Sequence, residues 1–269
     1  MVTAILFYAF LKKHLEKLRN AEQKAKENDR LKTVFLQNIS HEIRTPMNGI
    51  MGFAGLLNNG DLAEEQKSQY LDIITKSTDQ LLKVVTDVLD IALIETGTNE
   101  VYESRIHVNN ILDDIYIAFK PLIKQEIIFL LNKGLPDKLC IIYSDEEKIR
   151  QVLNNLLSNA IKFTEKGSIK IGYVLMDNEL EFFVEDTGIG IAPTDHGKIF
   201  EHFRKAEMEI SGLYRGVGLG LAICKGNVDL LKGKIWVKSE LNKGSIFFFT
   251  IPYKIENVSL NVKRKNFKY

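Results

Sequence analysis

Four groups of residues in this sequence have the types and spacing needed to move a proton or a phosphoryl group. In FLQNISHEIRTPMNGI, residues 35–50, His41 is followed directly by Glu42, and Thr45 comes four residues on. If this stretch is a helix, Thr45 stands one turn beyond His41 on the same face. An imidazole with a carboxylate beside it and a hydroxyl one turn away is equipped for proton and phosphoryl chemistry. In the second group Gln151, Asn155, Asn159 and Lys162 recur at steps of three and four, which aligns them on one helical face. Amide oxygens in a row can complete a magnesium shell with phosphate oxygens and waters, and Lys162 adds a point charge suited to phosphate. The third group is VEDTGIGIAP, where Asp186 ends a strand and Gly188 and Gly190 leave the following turn open to a ligand. A buried carboxylate there can accept a hydrogen bond from an adenine amino group. The fourth is RGVGLGLAI, with Gly216, Gly218 and Gly220 directly before a helix. Backbone N–H groups at such a helix start form an anion site, although the G-K-[ST] ending of a P-loop is absent.

These groups need particular elements to hold them. Around His41 the apolar residues Leu36, Ile39, Ile43, Met47, Ile50, Ala54 and Leu57 form one helical stripe, which leaves His41 facing solvent or a partner. Pro46 removes one helical hydrogen bond and should bend the helix just after the cluster. The helix is expected to end near Asn58-Asn59-Gly60. A second helix should run from about Ala63 to Glu95. Its stripe of Tyr70, Ile74, Leu81, Val84, Val88 and Ile91 is broadened by Ile73, Leu82, Val85 and Leu89. Two helices with such wide apolar faces cannot bury them in one hairpin, so a dimeric four-helix bundle is expected. Thr96-Gly97-Thr98-Asn99 reads as a hinge, beyond which the pattern becomes mixed α and β.

In that second part a strand near Tyr102–Val108 should lead to a helix from about Asn110 to Leu122 and a strand at Ile127–Leu131. Ser144 and Glu147 are spaced as a capping box opening the helix of the second group, whose buried side would carry Val152, Leu156, Leu157 and Ile161. Strands at Ser168–Met176 and Leu180–Glu185, a helix from near Gly220 and the hairpin KGKIWVKSELNKGSIFFFTIPY complete it. The expected domains are a linker helix at 1–34, a helical domain at 35–97, an α/β domain at 98–253 and a polar basic tail at 254–269.

Composition excludes more than it selects. An apolar fraction of 45% and a net charge of +1 describe a globular protein without a dominant electrostatic partner, and nucleic-acid binding gains no support. Cys140 and Cys224 have no metal-type spacing, which fits reduced thiols. The opening run VTAILFYAFL, ended by Lys12 and Lys13, is about half the ~20 residues that span a bilayer. It reads either as the cytoplasmic end of a membrane-spanning helix or as an apolar turn packed on a partner helix. Residues 11–34 are a charged helix, either a signalling linker or a plain solvated helix.

The motifs together resemble a known family. SHEIRTPMNGI resembles the H box of sensor histidine kinases, with His41 in the phosphoacceptor position. NNLLSNAIKFT, VEDTGIGIAP, IFEHF at 199–203 and RGVGLGLAI resemble, in order, the N, first glycine, F and second glycine boxes of the GHKL ATPases. The likeness to HisKA-type kinases covers about residues 30–253. It implies a helical hairpin forming a dimeric four-helix bundle, followed by an α/β two-layer sandwich that binds ATP and Mg2+. By that resemblance Asn159 coordinates magnesium with Asn155 and Lys162 beside it, Phe163 lines the base pocket, and Asp186, with Gly188 and Gly190, reads adenine. The Gly218-Leu219-Gly220 turn holds phosphates, residues 192–216 form a mobile lid ending at Gly216, and Arg204, Lys205 and Arg215 are the lid cations.

The implied activity is autophosphorylation of His41, with Glu42 as general base, and transfer to an aspartate of a response-regulator receiver. Thr45, in the E-x-x-T pattern, implies a phosphatase of that receiver. The implied setting is a homodimer forming the cytoplasmic portion of an inner-membrane sensor, whose sensor region is not in this chain. Three departures stand out. Gly197 lies where a short helix is usual, Gly226-Asn227 lies inside a helix, and Lys232 stands where glycine is common; about a kcal/mol of loosening per helical glycine is expected. A GHKL ATPase that drives clamping and a silent ATP-binding scaffold are the rival classes.

Overall fold

The computed structural model describes residues 2–58, 62–200 and 218–254, with side chains before residue 36 described only in part. These residues divide into two compact units, 2–95 with 218–222 in one and 96–200 with 223–254 in the other.

The first unit is a helical hairpin. Helix α1, Val2–Leu57, runs unbroken through Pro46, and helix α2 spans Glu64–Thr96. Asn59 and Gly60, expected at the end of α1, lie outside the described residues. The helices meet where the Phe53 and Tyr70 rings lie 5.2 Å apart. Nearby, Gly49 faces Ser77 so closely that a Cβ would come within 3.0 Å of its hydroxyl. On α1, Glu42 and Pro46 are buried and Gly49 and Phe53 half-buried; of the expected stripe, Ile39, Ile43, Ile50 and Leu57 are half-buried, while Leu36, Met47 and Ala54 are exposed. On α2, Val84 and Ile91 are buried and Tyr70, Ile74, Leu81 and Val88 half-buried, but Leu71, Leu82, Val85, Leu89 and Leu93 face solvent. One hairpin therefore buries only one of the two apolar stripes. Gly97, with φ +66°, follows the last residue of α2.

The second unit is an α/β sandwich. Strand β1 (Ser104–His107) leads into α3 (Val108–Phe119), whose end tightens into a 3-10 turn at Lys120–Leu122. Then follow β2 (Ile127–Asn132), β3 (Ile141–Ser144), α4 (Glu146–Phe163), β4 (Gly167–Met176) and β5 (Glu179–Asp186). Helix α5 (Gly220–Leu230), which lies in this unit from Ile223 on, β6 (Ile235–Glu240) and β7 (Gly244–Pro252) complete it. The main sheet has the order β2-β4-β5-β7-β6, parallel at β2–β4 and antiparallel elsewhere. Alternation along the strands places Tyr173, Phe182 and Phe249 side by side on its buried face. The Phe182 and Phe249 rings stack at 4.7 Å, each such pair adding about 0.5–1.5 kcal/mol beyond its buried area. Tyr173 donates from its hydroxyl to Asn109 Oδ1 at 2.7 Å, and Asn109 donates from Nδ2 to Asp137 Oδ1 at 2.7 Å, which ties the β2–β3 connection to α3.

Two local expectations are corrected. Strand β3 was not expected; it pairs antiparallel with β1, and Ser144 is its last residue. The cap of α4 therefore moves from Ser144 to Asp145, whose Oδ1 accepts from Lys148 N at 3.1 Å. Asp145 Oδ2 also accepts from Tyr102 N at 2.9 Å, and Lys148 Nζ donates to Asn99 Oδ1 at 3.2 Å. The start of α4 is thereby fastened to the segment that follows Gly97.

Lys232 stands in the left-handed region at φ 62°, which explains why glycine is favoured there. Lys232→Gly should stabilise the second unit by about 1 kcal/mol, and Asp145→Ala, which removes a cap and strands the Tyr102 N–H, should cost about 2–3 kcal/mol. Urea unfolding followed by fluorescence of Trp236, the sole tryptophan, reads both. An unchanged midpoint in either variant contradicts the corresponding account.

Candidate functional site

Helix α4 is built with two unlike faces. Ile149, Val152, Leu153, Leu156, Leu157 and Ala160 are buried, while Ile161, expected with them, is half-buried. On the other face Asn155 is buried at 8% exposure, Gln151 and Asn159 are half-buried and Lys162 is exposed. Glu146 and Glu147 in the first turn complement the helix dipole. Lys162 Nζ lies 5.2 Å from the centre of the Phe163 ring.

The end of α4 meets the turn that follows β5. Ile189 N donates to the Phe163 carbonyl at 3.3 Å, and a Cβ on Gly188 would come within 2.3 Å of that oxygen. At Gly190, φ is +69° and a Cβ would come within 2.0 Å of the Glu240 carbonyl. Only glycine fits such positions. Asn242 N donates to the Ile189 carbonyl at 2.7 Å and Ile191 N to Ser239 Oγ at 2.7 Å, so the β6–β7 turn supports the other side. Asp186, the last residue of β5, is 7% exposed, and its Oδ1 accepts from Gly188 N at 2.8 Å. Burial raises its pKa above the ordinary carboxylate value, opposed by the backbone N–H groups of Gly188 and Ser245. Beside the turn, the buried hydroxyl of Thr164 has no hydrogen-bond partner among the described residues.

This arrangement fits a nucleotide and a magnesium ion. The glycines let the end of α4 and the β6–β7 turn close on the segment that carries Asp186, and the Thr164 hydroxyl stands ready for a donor or acceptor. Asn155 and Asn159 supply the hard oxygen donors that magnesium accepts together with phosphate oxygens and waters. Among the described residues no group of three or more His, Cys, Asp or Glu could hold a metal without such help.

Of the glycine-rich segment, Gly218 has φ +77°, Leu219 is buried and Gly220 opens α5. Arg204, Lys205, Arg215 and Gly216 lie outside the described residues. The described part of the expected lid holds a 3-10 turn at Pro193–Asp195. Farther along, the Phe200 ring stands edge-on to Phe247 at 6.3 Å. In the helical hairpin His41 is exposed and Thr45 Oγ1 donates to the His41 carbonyl at 3.2 Å. Glu42 is buried on the neighbouring face, and among the described residues no hydrogen bond joins it to the His41 ring.

One contact was not foreseen. Asn227, buried on α5, donates from Nδ2 to Gln151 Oε1 at 2.6 Å. The sequence shows an amide inside an otherwise apolar helix, but its partner is 76 residues away.

Comparison with known proteins covers both units. Residues 31–97 match the His Kinase A (phospho-acceptor) domain, and residues 144–255 match the histidine kinase-, DNA gyrase B-, and HSP90-like ATPase family. The chain is 35% identical over 239 residues to the autoinducer 2 sensor kinase/phosphatase LuxQ of Vibrio cholerae, across 87% of this chain and 28% of LuxQ. It is 36% identical over 236 residues to the sensor protein GacS of Pseudomonas syringae, across 86% of this chain and 26% of GacS. The chain thus spans between 26% and 28% of the length of these curated relatives. Full-length ShkA in complex with AMPPNP superposes with a TM-score of 0.60 at 33% identity, over 83% of this chain and 45% of ShkA. ThkA in complex with the response regulator TrrA gives 0.58 at 27% identity, over 87% of this chain and 66% of that one.

The raised pKa of Asp186 has a sign that can be tested. The stability it contributes is fully present below the unfolded value of 3.8 and is lost as pH rises through its higher folded value. Asp186→Asn stays neutral throughout and still accepts from Gly188, so at neutral pH it should be at least as stable as the parent while losing nucleotide binding. Urea midpoints between pH 4 and 8, with titration of a fluorescent ATP analogue, check both arms. A less stable Asn variant at neutral pH would falsify the desolvation account.

Proposed function

Because the chain belongs to the sensor histidine kinases, by its phosphoacceptor and ATPase regions and its relatives, we propose that it phosphorylates its own His41 from ATP. The observation that carries this is the exposed His41 ring, one turn before Thr45 on a helix of the phosphoacceptor region. In this reading Asp186 accepts a hydrogen bond from the adenine amino group and Phe163 lines the base pocket. Gly188 and Gly190 admit the nucleotide, and the Gly218-Leu219-Gly220 turn offers N–H groups to its phosphates. Asn159 holds magnesium with Asn155 and Lys162 beside it; the ion, when bound, neutralises developing phosphate charge. Gly216 closes the lid, and Lys205 and Arg215, with Arg204, supply its cations.

One ring nitrogen of His41 attacks the γ-phosphorus, the bond to the bridging oxygen breaks, and ADP leaves. Glu42 takes the proton from the other ring nitrogen. Its carboxylate lies on the packed face of the hairpin, so it must turn outward to do so. The phosphoryl group then passes to an aspartate of a response-regulator receiver. Support for that partner comes from ThkA, whose structure is a complex with the response regulator TrrA. Thr45 orients a water for the reverse, phosphatase role, a pairing of activities that LuxQ carries in its name.

The uncovered stripe Leu71, Leu82, Val85, Leu89 and Leu93 supports a homodimeric four-helix bundle. The boundaries 1–34, 35–97, 98–253 and 254–269 serve as its working division. Among the described residues no helix is long and apolar enough to cross a membrane. The cytoplasmic, inner-membrane setting rests on the apolar run before Lys12 and Lys13, whose placement follows the positive-inside pattern.

Incubation with labelled ATP and magnesium tests the reading. Acid-labile, alkali-stable label should be retained by the parent chain and abolished in His41→Gln. Hydrolysis without retained label indicates a clamp-type ATPase, and nucleotide binding without either indicates a silent scaffold; both count against the proposal.

A further inference from the structure

Residues 98–103, between Gly97 and β1, have no regular secondary structure. A free coil of that length has a root-mean-square end-to-end distance of roughly 13 Å and no preferred direction. This coil is not free. Lys148, in the first turn of α4, donates from Nζ to Asn99 Oδ1 at 3.2 Å, and Tyr102 N donates to Asp145 Oδ2 at 2.9 Å. The same Nζ lies 3.8 Å from Asp145 Oδ2, and the Lys148 and Asp145 side chains are only 11% and 5% exposed. A pair so shielded from water holds its geometry, because parting it leaves a buried charge uncompensated. The Tyr102 side chain is exposed, so the coil is held by these polar ties rather than by its burial. Gly97 is the opposite case. Its φ is +66° and a Cβ there would meet nothing within 4 Å, so glycine serves backbone freedom at this position and not packing. Across it the exposed hydroxyls of Thr96 and Thr98 meet at 2.7 Å, a contact that water can replace.

We propose that Lys148 and Asn99 are positioning residues: with Asp145 they latch residues 99–102 to α4, so that the swing presenting ATP to His41 pivots at Gly97 and Thr98 alone. This rests on the kinase reading above. Asn99, expected within the hinge, is thereby its fixed end. The latch makes the coil a rigid extension of the helix that bears Asn155 and Asn159, and rigid attachment limits the orientations that the nucleotide must search before transfer.

The test uses the full chain and measures two quantities, the affinity for ATP with magnesium and the initial rate of His41 labelling at saturating ATP. Asn99→Ala removes one anchor, leaves the ion pair intact and lengthens the free tether from residues 97–98 to residues 97–101. Effective concentration falls roughly as the −3/2 power of tether length, so labelling should slow about fourfold with ATP affinity unchanged. A merely structural role would lower both. Asn99→Asp keeps an oxygen for Lys148 and should label at the parental rate. Lys148→Met, which keeps the stem but not the donor, should slow labelling at least as much, and adding Asn99→Ala to it should cost nothing more. Parental or faster labelling in Asn99→Ala, an equal loss in Asn99→Asp, additive losses in the double variant, or a parallel loss of ATP affinity overturns the proposal. A parent chain that retains no label overturns the kinase reading, and the proposal with it.

Discussion

The second unit depends on the close approach between the end of α4 and the turn after β5. The Phe163 carbonyl sits where a side chain on residue 188 would be, and the Glu240 carbonyl where one on residue 190 would be. Backbone from α4 and from the β6–β7 turn thus closes on the Asp186–Gly190 segment from two sides, with hydrogen bonds from Ile189 N to the Phe163 carbonyl and from Asn242 N to the Ile189 carbonyl. Any Cβ at these positions would push the layers apart. The spacing D-x-G-x-G is therefore a packing requirement as much as a binding one, which is why a nucleotide site can be recognised by glycines that touch no ligand with a side chain.

Helix α4 is fixed along its whole length by contacts of different kinds. Its start is capped by Asp145 and tied through Tyr102 and Lys148 to the segment after Gly97. Its middle is held by Asn227 and Cys224 of α5, and its end by the glycine turn. The hairpin is the opposite case. Its exposed Leu and Val side chains are each worth about 1.5–3 kcal/mol when fully buried, and roughly half of that is still unrealised. Summed over two copies, that is comparable to the roughly 4–15 kcal/mol that association costs, so this stripe offsets the cost and the proposed dimer needs further contacts to be stable. The ATP-binding unit is complete as a fold, whereas the hairpin has a stripe left over.

Periodicity made the long elements legible: α2, α4, β4, β5 and the last hairpin lie within a residue or two of where their patterns place them. Strand β3 was hidden because its four residues run directly into a helix start, and Ser144-Asp145-Glu146-Glu147 offers two capping residues in a row. Pairing with β1 extends the strand through Ser144 and so decides for Asp145. On α1 the expected stripe is half-buried at Ile39, Ile43, Ile50 and Leu57, but the burial of Glu42 and Pro46 was hidden, because neither belongs to an aliphatic pattern. Asn227 read as a defect in a helix. Its role depends on a residue in another element, and such long-range pairs leave no local trace. Lys232 was visible as a departure, but its cost lies in a backbone angle that the sequence does not state.

The choice of aspartate at residue 186 follows from the same geometry. With one methylene, its carboxylate folds back onto the N–H two residues on, the local turn that Asp and Asn form readily. Glutamate, one methylene longer, would overreach Gly188 and drive its charge into the cradle. An ionised carboxylate offers about four acceptor positions, and the backbone N–H groups of Gly188 and Ser245 occupy part of that capacity. The remainder is a strong acceptor at the buried end of β5. Desolvation works against its charge, and the two N–H groups partly offset that cost. A ligand that donates a hydrogen bond there restores what burial removed, whereas an acceptor in the same place would meet an unscreened negative charge. In the proposed nucleotide site, discrimination at Asp186 thus follows from its burial.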